Sequence, residues 1–185
     1  AAAQIVGVLP DLSEEVIAAR LASDKGFVWL RRNLTPTQQF EINRLGIPGL
    51  DFEREERRVY PHGQLAGHIV GFTNVDNAGL AGIEQSMDSA IAGATTPLRL
   101  SLDIRVQQIV RQELADQIEK FKAIGGGAIV MDVRTGEVVS MVSLPDFDPN
   151  APAQAPDETR FNRITLGVYE LGSVFKIFNH AIALE

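Results

Sequence analysis

Five apolar residues at helical spacing, Val106, Val110, Leu114, Ile118 and Phe121, run towards three consecutive glycines, Gly125 to Gly127, and no other stretch narrows the fold as much. The stripe predicts one helix with one buried face, started by Asp103 as N-cap. The glycines are expected to break it. Beyond them, Ala128 to Val133 and Glu137 to Val142 are rich in β-formers and are joined by Arg134-Thr135-Gly136, a hairpin signal with glycine where φ is positive. A loop rich in Pro, Asp and Asn near its start then runs from Leu144 to about Tyr169, a length that in a compact domain is usually functional or disordered. After it, Val174, Ile177, Phe178, Ala181 and Ile182 share a helical face. The order of helix, hairpin, long loop and helix predicts an α+β fold.

Upstream the pattern differs. Asp11 followed by Glu14, and Thr35 with Pro36 and Gln38, are side-chain capping signals for two short helices. Between them Phe27-Val28-Trp29-Leu30 suits a buried strand, and Gly46 with Ile47-Pro48-Gly49 stops the second helix. The mixed charges of Asp51 to Arg58 read as a solvated face or an edge strand. Gly79 to Ala92 turns helical again. Gly93 to Pro97 has no periodicity and combines a helix stop with a proline, so the domain boundary is placed there, with one part at 1–93 and the other at 98–185.

Composition removes several function classes. A chain of 185 residues with 45% apolar content can bury one good core or two small ones, so at least one incomplete domain is expected. With 17 Lys and Arg against 24 Asp and Glu, the net charge of -7 gives no source for phosphate binding, and a nucleic-acid partner is not expected. There is no cysteine, hence no disulfide and no thiolate metal site. No apolar run approaches the roughly 20 residues of a membrane span, and Ala1 to Pro10 lacks a basic leader region. The sequence lacks an initiator Met, and an anchor or signal upstream is compatible with it.

The chemistry concentrates at Gly172-Ser173-Val174-Phe175-Lys176. Residues three apart on a helix are neighbours, so Lys176 can lay its amine beside the Ser173 hydroxyl. A hydroxyl is a poor nucleophile until a base takes its proton, and a lysine desolvated by apolar neighbours can serve as that base. Free N–H groups at the helix start, including that of Ser173, point where an oxyanion would develop. Ser-x-x-Lys alone is a common accident; its context carries the weight. His62 and His68 are six apart and match no usual metal spacing, while His180 lies two turns from Ser173, so all three read as structural.

The context is that of one family. Gly126-Gly127-Ala128-Ile129-Val130-Met131-Asp132, Thr135-Gly136-Glu137, Pro145, Asp148-Pro149-Asn150, Asn162-Arg163 and the Ser173-x-x-Lys176 box resemble the start of the transpeptidase domain of penicillin-binding proteins. Upstream, Arg58 to Gly63, His68-Ile69-Val70-Gly71-Phe72 and Gly79 to Glu84 resemble the non-catalytic pedestal of the class B members. Gly71 to Asp76 followed by Gly82-Ile83-Glu84 is more similar to the division-specific enzymes than to the elongation-specific ones.

The resemblance implies a partial pedestal, 1–93, followed by the N-terminal portion of a transpeptidase domain, 98–185. It implies that Ser173 forms an acyl-enzyme with the D-Ala-D-Ala end of a peptidoglycan stem peptide, or with a β-lactam, while Lys176 takes the serine proton. No cofactor and no metal are implied. Other cell-wall or division proteins would dock on the pedestal, in the bacterial periplasm, with an upstream helix anchoring the whole protein in the inner membrane. Glu84 and Arg163 fit positions where charged residues tie elements together. The family's Ser-x-Asn and Lys-Thr-Gly boxes follow the nucleophile and are expected beyond Glu185. Arg134-Thr135-Gly136 imitates the second but precedes Ser173, and is read as a turn. Leu171 departs from the proline common in the family, which leaves the helix entry less rigid. Two alternatives stay open: a β-lactam hydrolase or sensor sharing the serine box, which the upstream pedestal argues against, and a docking module in which the box is vestigial.

Overall fold

Thr35 caps its helix reciprocally. In the computed structural model, which describes residues 1–185, its hydroxyl accepts from the Gln38 N–H at 3.2 Å and the Gln38 side-chain oxygen accepts from the Thr35 N–H at 3.0 Å. With Pro36 in the first turn, this helix, α3, spans Pro36–Arg44. Two helices precede it, α1 (Ala2–Val8) and α2 (Glu14–Leu21). The cap of α2 is Ser13, which accepts from the Val16 N–H at 3.3 Å. Asp11, the cap expected from sequence, instead pairs with Arg31. Ile5 and Leu9 from α1 and its end meet Ile17 of α2 and Ile42 of α3 in a small core, with Leu30, Leu34 and Phe52 packed around it.

Phe27 to Leu30 is not a strand. Its carbonyls at Trp29 and Leu30 accept from the Arg20 guanidinium, at 3.1 and 2.8 Å, so the segment is held by a side chain rather than by a ladder. Phe27 and Trp29 lie largely on the surface and pack edge to face at 5.0 Å. Residues 51–58 have no regular secondary structure; Glu55 accepts from Arg32 and from the Asn33 N–H, and Arg58 pairs with Glu84. These elements make up the first of two compact units, Ala1–Arg57; the second is Arg58–Glu185. Residues 93–97 lie inside the second unit, in an exposed stretch from 92 to 99.

In the second unit a 3-10 turn (Gly63–Ala66) leads into α4 (Gly67–Val70), and Gly79 to Ala92 forms two short helices, α5 (Gly82–Ser86) and α6 (Asp88–Ile91), broken at Met87. Helix α7 (Ile104–Phe121) is capped by Asp103, whose carboxylate accepts from the Arg105 N–H at 2.9 Å. It ends on Lys122 in the left-handed conformation, before the glycine triplet is reached. The glycines have a different task. A side chain at Gly126 would crowd Leu114 and Ile118 of α7, and one at Gly127 would meet Ile164, so they let strand β1 (Gly126–Met131) pass close to both. Phe121 leaves the buried stripe and is exposed, whereas Gln107 enters it.

Strand β1 pairs antiparallel with β2 (Val138–Leu144), from Gly126 opposite Leu144 to Met131 opposite Val138, with an irregularity after Val130. The hairpin turn contains Gly136 at φ 75°, and the Asp132 carboxylate accepts from the Arg134 N–H at 2.8 Å. The long loop after β2 is well tied. Arg111 of α7 grips Asp146 through two bonds of 2.6 and 3.1 Å, and the Asn150 side chain bonds both the N–H and the carbonyl of Tyr60, at 2.9 and 3.0 Å. The loop contains a 3-10 turn (Pro152–Gln154) and α8 (Asp157–Arg160).

Candidate active site

The segment that leads to Ser173 is attached to β2 and α4. Asn162 is buried; its Nδ2 donates to the His68 carbonyl at 3.3 Å, and its Oδ1 accepts from the N–H groups of Ile164 and Thr165 at 3.0 and 3.2 Å. The Arg163 N–H donates to Ser143 Oγ on β2 at 2.9 Å. Downstream, the Tyr169 hydroxyl donates to the Arg163 carbonyl at 3.0 Å.

Ser173 itself lies in a 3-10 turn, Gly172–Phe175, that runs directly into α9 (Lys176–Leu184). Gly172 has φ 54°, a conformation that favours glycine. The Lys176 N–H points back to the Ser173 and Val174 carbonyls. Leu171 and Lys176, which flank the turn, and Phe175 at its end have ψ near -20°, the 3-10 value, and in that geometry side chains three apart stand one above the other. The Ser-x-x-Lys spacing predicts Ser173 in the first turn of an α-helix; the backbone instead puts it in the 3-10 turn before the helix, with Lys176 as the first α-helical residue.

The burial expected around the pair is not formed by these residues. Val174, Ile177, Phe178 and Ile182 are exposed, as are Ser173 and Lys176, and Phe175 and Phe178 lie 5.2 Å apart on the open surface. None of the described side chains covers the apolar face of α9, so the turn supplies a serine, a lysine and a helix start but no desolvating wall.

The other residues singled out from sequence have structural surroundings. His68 bonds the Pro145 carbonyl through Nε2 at 3.3 Å and stands edge-on to Phe147 at 5.2 Å. Burial holds its pKa below the usual histidine value, against the opposing pull of the Pro145 carbonyl and Asp146. His62 and His180 are exposed. Glu84 is buried and pairs with Arg58 at 3.0 Å. Arg163 lies against Gly125 and reaches the Glu158 carbonyl at 3.4 Å. Two residues were given no role from sequence, Gln107 and Asn162. Gln107 had a visible signal, a polar residue one position from an otherwise apolar helical stripe; Asn162 had none beyond its motif.

Comparison with known proteins completes the assignment. Residues 2–120 match the penicillin-binding protein dimerisation domain, and residues 126–185 match the penicillin-binding protein transpeptidase domain. The chain belongs to the penicillin-binding proteins, as a class B fragment that joins the two modules in this order. Among its relatives, a probable peptidoglycan D,D-transpeptidase FtsI of Caulobacter vibrioides is 43% identical over 156 residues, which cover 82% of this chain and 26% of that protein. A probable peptidoglycan D,D-transpeptidase PenA of Neisseria gonorrhoeae is 34% identical, over 96% of this chain and 36% of that protein. The peptidoglycan D,D-transpeptidase FtsI of Escherichia coli is 35% identical, over 86% of this chain and 32% of that protein. The chain thus spans between 26% and 36% of these relatives' lengths. Its fold matches the crystal structure of a peptidoglycan synthetase from Bifidobacterium adolescentis with a TM-score of 0.63 at 22% identity, over 99% of this chain and 38% of that one. The α+β architecture of a pedestal followed by the opening part of a transpeptidase domain is therefore established.

Proposed function

We propose that the protein to which this chain belongs is a peptidoglycan D,D-transpeptidase of cell division, with Ser173 as nucleophile and Lys176 as its base. The observation that carries the reading is the placement of the Ser173-x-x-Lys176 box at the foot of α9, inside the segment that matches the transpeptidase domain. Relatives named as D,D-transpeptidases FtsI and PenA support it. In the reaction Ser173 Oγ attacks the carbonyl of the penultimate D-Ala while its proton passes to the Lys176 amine. The peptide bond breaks, the terminal D-Ala leaves with a proton, and an ester joins the stem peptide to Ser173. An amine of a neighbouring stem peptide then attacks that ester, forming the cross-link and returning the hydroxyl. A β-lactam enters the same first step, its amide opening without a departing fragment.

The pedestal is proposed to end at the exposed 93–97 stretch, short of residue 120 where the match to the dimerisation domain stops, to carry no chemistry and to dock other cell-wall or division proteins. The protein would act in the periplasm from an inner-membrane anchor; no helix described here is long and apolar enough to cross a membrane.

The test is labelling of the full-length protein with a fluorescent penicillin. The wild type takes one label and Ser173→Ala takes none, while Lys176→Ala slows labelling by about 100-fold or more, the range for loss of a general base. Labelling that survives Ser173→Ala would refute the choice of nucleophile.

A further inference from the structure

Between Ala151 and Glu185 one residue alone is buried, Asn162, at 8% exposed. Asn162 is the last buried residue before the serine turn, and its side chain is used at both ends. Nδ2 reaches the His68 carbonyl at the start of α4. Oδ1 takes the N–H groups of Ile164 and Thr165, and the Asn162 carbonyl takes that of Leu166 at 3.0 Å. Arg163 adds the bond to Ser143, itself 2% exposed on β2. The segment then closes on itself through Tyr169 and the Arg163 carbonyl, four residues before Ser173. Gly167 is packed so tightly against that carbonyl and the Tyr169 ring that a Cβ there has no room.

We propose that Asn162 is a positioning residue for acylation: it fixes the segment that carries Ser173 to α4 and β2, and so sets where the attacking oxygen stands. The proposal rests on the reading of Ser173 as nucleophile. Asn162 and its neighbour Arg163 tie the segment that leads to the serine turn to α4 and to β2. Truncating the side chain leaves the His68 carbonyl and the N–H groups of Ile164 and Thr165 without their partner, and breaks the link that holds the segment to α4. Being buried, Asn162 is not available for contact with a substrate. Its loss should therefore act on the acylation step and leave the preceding binding step nearly unchanged.

Rapid-mixing acylation of the full-length protein by benzylpenicillin separates the two, as a rate constant k2 and a pre-acylation constant K. For Asn162→Ala, k2 is expected to fall about 100-fold with K within about threefold, the scale of a nucleophile displaced by about 1 Å. Asn162→Asp keeps the acceptor for Ile164 and Thr165 but sets an oxygen against the His68 carbonyl. It should lose about tenfold in k2, since the link to α4 is broken while the turn is kept. Tyr169→Phe removes only the closing bond and should cost a few-fold at most. A merely structural role predicts a different pattern: a lower melting temperature and a smaller acylated fraction, with k2 of the folded fraction as in the wild type. That result would overturn the proposal. If Asn162→Ala does not melt cooperatively, Asn162→Asp is judged by the same criterion. Labelling that persists in Ser173→Ala would instead remove the nucleophile reading on which the proposal stands. Silent Ser173→Ala together with wild-type k2 in both Asn162 variants would remove the positioning role alone.

Discussion

Gln107 and Ser140 share a hydrogen bond of 2.8 Å between two side chains that are 2% and 0% exposed. The same Gln107 oxygen accepts from the Met141 N–H at 3.0 Å, and its amide nitrogen donates to the carbonyls of Leu65 and Met141, at 2.9 and 2.8 Å. One side chain on α7 thus holds β2 and the turn that precedes α4, with every donor and acceptor satisfied, which is the condition under which a buried polar group specifies a fold rather than weakening it.

Gln107→Leu should therefore destabilise the chain by about 3 kcal/mol, because it leaves the Ser140 hydroxyl and backbone groups of Leu65 and Met141 unpaired at roughly 1 to 3 kcal/mol for each group that water does not recover. The midpoint of denaturant unfolding, compared at unchanged slope, gives the value. A loss under about 1 kcal/mol would mean that water replaces the amide.

Gly71→Ala should be at least as damaging. Gly71 has φ 77°, and a Cβ built on it falls inside the contact distance of the Ala81 carbonyl oxygen, a backbone atom that cannot swing away. Strain and collision together predict a loss of about 3 kcal/mol or more, or no cooperative unfolding at all. A near-neutral melting temperature would show that the junction between α4 and α5 can open at little cost.

The hairpin, the Asp103 and Thr35 caps and the breaks at Gly93 and Gly46 were legible because each is encoded within a few residues. What the sequence concealed depends on partners far along the chain. Phe27 to Leu30 has strand composition, yet Arg20 captures its carbonyls. Asp11 has cap chemistry, yet Arg31 takes it and leaves the task to Ser13. Helix α1 has Ala1 at its N-cap position, and alanine offers no oxygen to cap it, so no start signal is readable there. At the candidate site the pair Ser173 and Lys176 was visible as a spacing, whereas Asn162 stood only in a motif and its role was not readable, since its partner His68 lies 94 residues away.

Acid should weaken the second unit through His68. Burial lowers the pKa of this ring in the folded state, so the unfolded chain, with its value near 6.5, binds the proton more readily. The His68 contribution is thus fully present above the unfolded pKa and is lost as pH falls through 6.5 towards the lower folded value. Asp146 and Arg163 are the charged groups acting on the ring, with opposite signs. His68→Gln retains a donor for the Pro145 carbonyl and cannot titrate. Unfolding free energies measured from pH 8 to pH 5 should therefore fall more steeply for the wild type than for the variant. Parallel curves would show that the ring stays neutral in both states over that range.

The isolated 185-residue chain is predicted not to react with penicillin at a useful rate. Acyl transfer depends on a site from which water is excluded and in which more than one donor meets the oxyanion, and removal of a single donor costs about 100-fold to 1,000-fold. Within this chain Ser173 and Lys176 stand in the open, the apolar face of α9 is bare, and the start of the helix is the one local source of oxyanion donors. The losses compound, because groups that act as a unit fail together. Intact-mass analysis after prolonged exposure to benzylpenicillin should show no adduct on the chain alone, under conditions in which the full-length protein is stoichiometrically acylated at Ser173. A penicilloyl adduct on the isolated chain, absent in its Ser173→Ala variant, would show that the exposed turn suffices for acylation and that the surrounding domain serves only to select the substrate.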